Sequence, residues 1–449
     1  MPRNLTQGPI LSSISAFALP YMIAYFLQVL YGLADLFVVG RYCGVTATTA
    51  VANGAQVMYM FTVIIIALSM GATVNIARAL GAGDSGRQGR FIGNTFSLFA
   101  IISVVCAAIL FALRYSIVTA IDTPAEAVSE TIDYLTITFA GVPFFVMYNV
   151  ISSVFRGLGD TRRPMYFVAI ACAVNIILDF FFIGALDMGP RGAALGTTLS
   201  QVLSVSVAAA YMWLSRRQIG VRRADFALER RSVGQIVKVG VPVALQDGFI
   251  QLSFMIIMVI ANGRGVTDAA AVGIVEKFIG VLFIVPSAML ATTSAMVAQC
   301  LGAGDEVRAR ATLRTTTVIA VGFGTVIASV LQFCPEVAVG IFTDDAAVLT
   351  AGSGYLRGYV WDCVLAGVHF CFSGYFTASG RSYLSFVHNF VAIVVARVPL
   401  AYWASASFPD TLFPMGLATC VGSLLSALIC VGVYVWLRRR ENALCGLPK

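Results

Sequence analysis

Long apolar runs broken by short polar loops follow one another along the whole chain. Twelve can be marked, over about residues 15–39, 50–77, 92–113, 128–150, 164–184, 192–214, 238–261, 270–299, 313–334, 348–372, 384–405 and 413–436. Crossing the hydrocarbon layer as a helix takes about 20 apolar residues, and each run supplies them. None shows the short strict alternation of a membrane barrel strand. The expected fold is an all-α integral membrane protein of twelve transmembrane helices. Residues 1–10 lack the pattern of a cleavable signal and the first run is too long for a signal core, so it counts as a true span.

The pattern is doubled. Leu80-Gly81-Ala82-Gly83-Asp84 returns unchanged as Leu301-Gly302-Ala303-Gly304-Asp305, and the same offset carries Tyr134-Leu135 onto Tyr355-Leu356, Phe155 onto Phe376 and Gly159 onto Gly380. The expected organisation is an N-lobe over 1–215, a basic linker over 216–237, and a C-lobe over 238–449 that ends in a short basic tail. Six spans per copy bring both copies into the bilayer in the same direction. The two pseudo-symmetric lobes are then a parallel repeat about an axis along the membrane normal, with a cleft where substrate would bind near mid-depth. The repeated Gly-Ala-Gly-Asp lacks the Gly-Lys-Ser/Thr of a phosphate loop. Glycines that end one helix and an Asp that caps the next explain it better.

Composition removes other classes. The chain is 59% hydrophobic and 11% charged, with a mean hydropathy of +0.88, which leaves no room for a large soluble domain. With both termini placed in the cytoplasm, most of the 29 basic residues fall on that side, notably between Arg216 and Arg231. The net charge of +7 is therefore a topology signal, and no nucleic-acid partner is expected. The ten cysteines are scattered singly and serve as small packing residues. No metal cluster, cofactor motif or catalytic constellation is visible, so neither a cofactor nor an enzymatic activity is expected.

Charged and polar groups inside the spans are few and costly, about 2.5–3.5 kcal/mol per charge at a helix centre. Asp35 in the first span shares a helical face with Gln28 and Tyr31. Asn175 and Asp179 lie four residues apart on the fifth. Thr197, Ser200, Gln201 and Ser204 make a stripe on the sixth. A polar cavity inside the N-lobe satisfies all three helices. A carboxylate shielded from water can load and release a proton near neutral pH. The same oxygens suit a hard cation such as Na⁺, or act only as interhelical hydrogen-bonding glue. The C-lobe is no chemical copy: it offers Asp247, Glu276, Asp362, Arg357, Arg397, His369 and His388 elsewhere. Asp362 either pairs with Arg357 or meets substrate, and the histidines read as packed or hydrogen-bonded. Pro20, Pro143, Pro242, Pro286 and Pro399 fall within spans and weaken the helix locally.

Twelve spans, two lobes, the repeated Gly-Ala-Gly-Asp, Gly32-Leu33-Ala34-Asp35-Leu36-Phe37-Val38-Val39-Gly40, and Phe155-Arg156-Gly157-Leu158-Gly159-Asp160-Thr161 together resemble the multidrug and toxic compound extrusion (MATE) family, prokaryotic branch. The resemblance covers essentially the whole chain. It implies a multi-pass protein of the inner (cytoplasmic) membrane that couples drug export to inward H⁺ or Na⁺ flow. It further implies a cation-coupling site, holding H⁺ or Na⁺, at Asp35, Asn175, Asp179 and Thr197, with a bending proline at Pro20. Where other branches carry a C-lobe acid this chain has Ala366, with Asp362 a turn away, so reliance on the N-lobe is expected. Gln28, Tyr31, Gln201, Asp362 and Arg397 are the substrate-cavity candidates. The expected function is a cation-coupled antiporter for amphipathic organic compounds, cationic ones foremost, working as a monomer in the lipid bilayer by rocking its lobes. The rival is a lipid-linked oligosaccharide or peptidoglycan-precursor flippase, which would need several intramembrane basic residues to hold pyrophosphate, and only Arg357 and Arg397 lie within spans.

Overall fold

The computed structural model describes residues 4–444. Sixteen α-helices follow in order: α1 (Ile10–Tyr42), α2 (Gly44–Gly81), α3 (Ser85–Ala120), α4 (Val128–Gly157), α5 (Arg162–Asp179), α6 (Gly189–Ile219), α7 (Arg230–Asn262), α8 (Val266–Leu282), α9 (Ile284–Gly302), α10 (Glu306–Phe333), α11 (Pro335–Gly340), α12 (Ala346–Tyr359), α13 (Asp362–Ala378), α14 (Ser382–Val391), α15 (Val398–Ser407) and α16 (Phe413–Leu444). They make the twelve expected spans, but four of these are not plain helices. The eighth is α8 and α9, interrupted at Phe283. The tenth is α12 and α13, interrupted at Val360 and Trp361. The fifth and eleventh each contain one turn of wider π geometry, at Phe180–Ala185 and Ala392–Arg397. Eleven described stretches are long and apolar enough to cross a membrane unaided; the tenth span misses because its break divides it.

The sequence repeat is a repeat of turns. Gly83 and Gly304 adopt φ of +70° and +76°, and Gly159 and Gly380 of +80° and +75°. Only glycine holds that left-handed conformation at no steric cost. After each, the next backbone N–H returns to the helix just ended: Asp84 to Ala79, Asp160 to Phe155, Asp305 to Cys300 and Arg381 to Phe376. Asp84 then caps α3 by accepting from the Arg87 N–H at 2.8 Å, so in the first copy the helix stop and the cap expected from the sequence both form.

The chain falls into two compact units, residues 1–244 with 298–305, and 245–297 with 306–449. In the first, α2 and α4 pack closely, and a Cβ on Gly157 would meet the Thr73 carbonyl at 2.9 Å. The far side of α2 meets the first half of α7 and the end of α9 backbone to backbone. A Cβ on Gly71 would come within 2.1 Å of the Ile236 oxygen, and one on Gly81 within 1.9 Å of the Gln299 oxygen. Small residues permit such approaches, and packing is what holds helices together in lipid. The segment between α6 and α7 is no loose tether. Asn94 on α3 donates to the carbonyls of Asp225 and Ala227 and accepts from the Glu229 N–H, Gln88 donates to the Ile219 carbonyl, and Ser97 to that of Phe226. In the second unit, α12 and α16 cross where Gly358 faces the Phe413 oxygen and Gly416 the Tyr355 oxygen. Tyr355 and Tyr359 are wholly buried there.

Candidate functional site

Helices α1, α5 and α6 pack on one another in the first unit, and their polar faces meet. Asp35 is 5% exposed, Thr197 4%, and Asn175 and Asp179 0%. The Thr197 hydroxyl donates to Asp35 Oδ2 at 3.0 Å, and the Asn175 amide donates to Asp179 Oδ1 at 3.5 Å. The carboxyl groups of Asp35 and Asp179 adjoin. Among the described residues neither forms an ion pair. Among the described residues, three buried oxygens at the site lack a hydrogen-bond partner: Asp35 Oδ1, Asp179 Oδ2 and Asn175 Oδ1. Two adjoining carboxylates buried away from water disfavour holding both charges without a neutralising cation. The orphaned oxygens suit a proton shared between the acids or a hard cation. Among the described residues no three His, Cys, Asp or Glu side chains come together; the donors here are two carboxylates, an amide and a hydroxyl.

Local sequence makes the site possible. Asp179 sits on the last turn of α5, against α6 at Gly196. A Cβ there would meet Asp179 Oδ1 at 2.3 Å, so the position beside Thr197 must lack a side chain. Tyr31 and Tyr134 stand beside Asp35 and Thr197. Tyr134 lies against Gly54, where a Cβ would meet its ring at 2.3 Å. Tyr134 and Gly196 escaped the sequence reading as site residues. Tyr134 was visible as part of the repeat, and Gly196 as a glycine preceding the polar stripe of α6.

The other candidates fall as follows. Gln28 is half-buried on α1, and Gln201 lies on α6 with its Oε1 buried and unpartnered. Pro20 is buried within α1, which runs through it unbroken. Thr161 donates to the Phe17 carbonyl at 2.7 Å and so pins the turn before the proline. Asp362 and Arg397 lie in the second unit and line one cavity. Arg357 instead binds Glu336 at 3.0 Å: the break at Val360–Trp361 puts Asp362 on a different helix, so of the two readings for Asp362 the same-helix pair does not form. His388 is held by Ser373 and Ser426 at 2.8 and 2.7 Å. The nine described cysteines form no disulfide.

Comparison with known proteins agrees with this architecture. The MatE family model matches residues 20–181 and again 242–403, one match per repeat. A probable multidrug resistance protein of Bacillus subtilis (strain 168), YpnP, is 26% identical over 407 residues, 90% of each chain. An FAD transporter of Shewanella oneidensis is 26% identical over 438 residues, 95% of each. A solved multidrug resistance MATE family transporter in an outward-facing conformation superposes with a TM-score of 0.90 at 23% identity, covering 98% of each chain.

Proposed function

The chain belongs to the MatE family of membrane transporters, and from that premise we propose that it is a cation-coupled antiporter exporting amphipathic organic compounds across the cytoplasmic membrane of a prokaryotic cell. What supports this is the pair Asp35 and Asp179, buried side by side without a basic partner. An inward-moving H⁺ or Na⁺ would neutralise the pair, held by Asp35, Asp179, Asn175 and Thr197. Its departure to the cytoplasm restores the repulsion between the acids. The swing in charge biases α1 and α5 between two packings, with Pro20 as the place where α1 yields, and the two lobes rock in turn. One positive charge moving inward releases about 2.3 kcal/mol per 100 mV, enough for a roughly 40- to 50-fold substrate gradient. Both termini lie in the cytoplasm in this scheme, and one chain suffices.

The test is ethidium efflux from proteoliposomes under separately imposed pH and Na⁺ gradients. One gradient should drive export by the wild type, and Asp35→Asn should abolish the driven part while the protein remains inserted. Equal efflux with and without either gradient would sink the coupling reading.

A further inference from the structure

Three departures from regular helix converge on one cavity in the second unit. Phe283 marks the break between α8 and α9, Asp362 follows the break between α12 and α13, and Arg397 closes the π turn before α15. Each falls near the middle of its span. Irregular backbone at membrane depth survives where it lines a cavity, and interrupted helices frame substrate sites in transporters. The cavity has a volume of about 50 Å³ and opens on one side, so an aromatic ligand would enter as the flanking helix breaks give way. Its side chains are unspent. Arg397, 8% exposed, donates to the Tyr359 hydroxyl at 3.1 Å and stacks over the Phe254 ring at 4.6 Å, but its Nε has no partner. Asp362, 1% exposed, leaves Oδ1 unpartnered, and so does His369 its Nδ1. Asp362 and Arg397 face one cavity yet form no ion pair within 4.0 Å. Gly422 lets α16 lie against Arg397, where a Cβ would meet the arginine Cβ at 2.8 Å. A buried cation and a buried anion held apart cost more than a joined pair, and the cost is recovered when a ligand supplies both opposite charges.

We infer that this cavity is a second substrate subsite, which takes the carboxylate of a zwitterionic amphiphile on Arg397 and its cationic centre on Asp362. The planar guanidinium suits a carboxylate, and Phe254, Phe283 and Phe370 suit an aromatic body. A phosphate dianion fits poorly, because Asp362 lines the cavity and Glu276, outside that lining, lies close enough to Arg397 to act on its charge. The inference rests on the export reading for what the ligand is, and extends that reading beyond simple cations.

Tetramethylrhodamine, a zwitterion with one carboxylate, and its methyl ester, a cation, differ only at that group. Their binding is measured by fluorescence anisotropy to the full chain in lipid nanodiscs, with empty discs subtracted. Arg397→Gln should weaken the acid at least tenfold and the ester less than threefold. Arg397→Lys should restore part of the preference for the acid, and Asp362→Asn should weaken both dyes. Equal loss of acid and ester in Arg397→Gln, or no binding of the acid by the wild type, overturns the subsite. If Arg397→Gln fails to fold, Arg397→Lys decides: an unchanged acid-to-ester ratio overturns it. A wild type that binds both dyes but exports neither under any gradient refutes the export reading and leaves the subsite standing.

Discussion

Gly196→Ala is the smallest change that reaches the Asp35–Asp179 site. The new Cβ would stand 2.3 Å from Asp179 Oδ1, more than 1 Å inside ordinary van der Waals contact, which begins near 3.4 Å. Asp179 is wholly buried and its backbone lies in the last turn of α5, so the carboxylate must rotate away from α6. That movement stretches a hydrogen bond from Asn175 that is already 3.5 Å long. Overpacking of this kind costs about 1–3 kcal/mol, offset by about 0.5–1 kcal/mol for removing a helical glycine. If the pair holds the driving cation as proposed, a net cost of about 0.5–2 kcal/mol should raise its half-maximal concentration about 2- to 30-fold. The assay is proteoliposome efflux titrated against whichever of H⁺ and Na⁺ drives the wild type. Gly192→Ala, one turn earlier on α6 with its nearest contacts at 3.1 Å, is the matched control and should stay near wild type. If Gly196→Ala lowers the amount of folded protein yet leaves the half-maximal cation concentration unchanged, Asp179 does not belong to the coupling site.

On the proposed coupling role, Asp35→Asn and Asp179→Asn should each abolish coupled efflux, and the double variant should lose no more than either one, as for two members of one site; multiplicative losses would separate their roles. Arg264 bridges Asp268 and the carbonyls of Ser405, Phe408, Pro409 and Thr411, so Arg264→Ala should cost about 2–4 kcal/mol, seen as a lower midpoint in thermal unfolding, and an unchanged midpoint would rule out that clasp. Asn94→Ala should free the segment between α6 and α7 and speed its tryptic cleavage at Arg222 and Arg223 severalfold, with wild-type resistance as the contrary result.

The twelve spans and the turns were legible because hydrophobic length and left-handed glycines are local properties. The two interruptions differ instructively. Pro286 has no N–H for the Leu282 carbonyl, so the break at Phe283 could be read from sequence. Likewise Pro399, just past Arg397, frees the Val395 carbonyl inside the π turn. Val360 and Trp361 hold no such signal; what stands beside the break is α16, where Cys420 donates to the Gly358 and Tyr359 carbonyls. At the candidate site, each polar face was visible on its own helix. That Asp35 reaches Asp179 depends on how α1 and α5 pack, and that Gly196 makes room depends on a third helix; no local pattern carries either.

The glycine face of α2 has a consequence for how the protein is made. Gly71 and Gly81 are synthesised about 165 and 218 residues before Ile236 and Gln299, the backbones they meet. At a ribosomal rate of roughly 5–20 residues per second, that face waits about 10 to 40 s in the bilayer for its partner. For that interval the nascent first half is an acceptor for helices not yet translated, and nothing in a backbone contact distinguishes its own chain from a neighbour's. Two polypeptides divided between α6 and α7 and expressed together should therefore find each other and assemble, with the start of α7 and the end of α9 as the docking pieces.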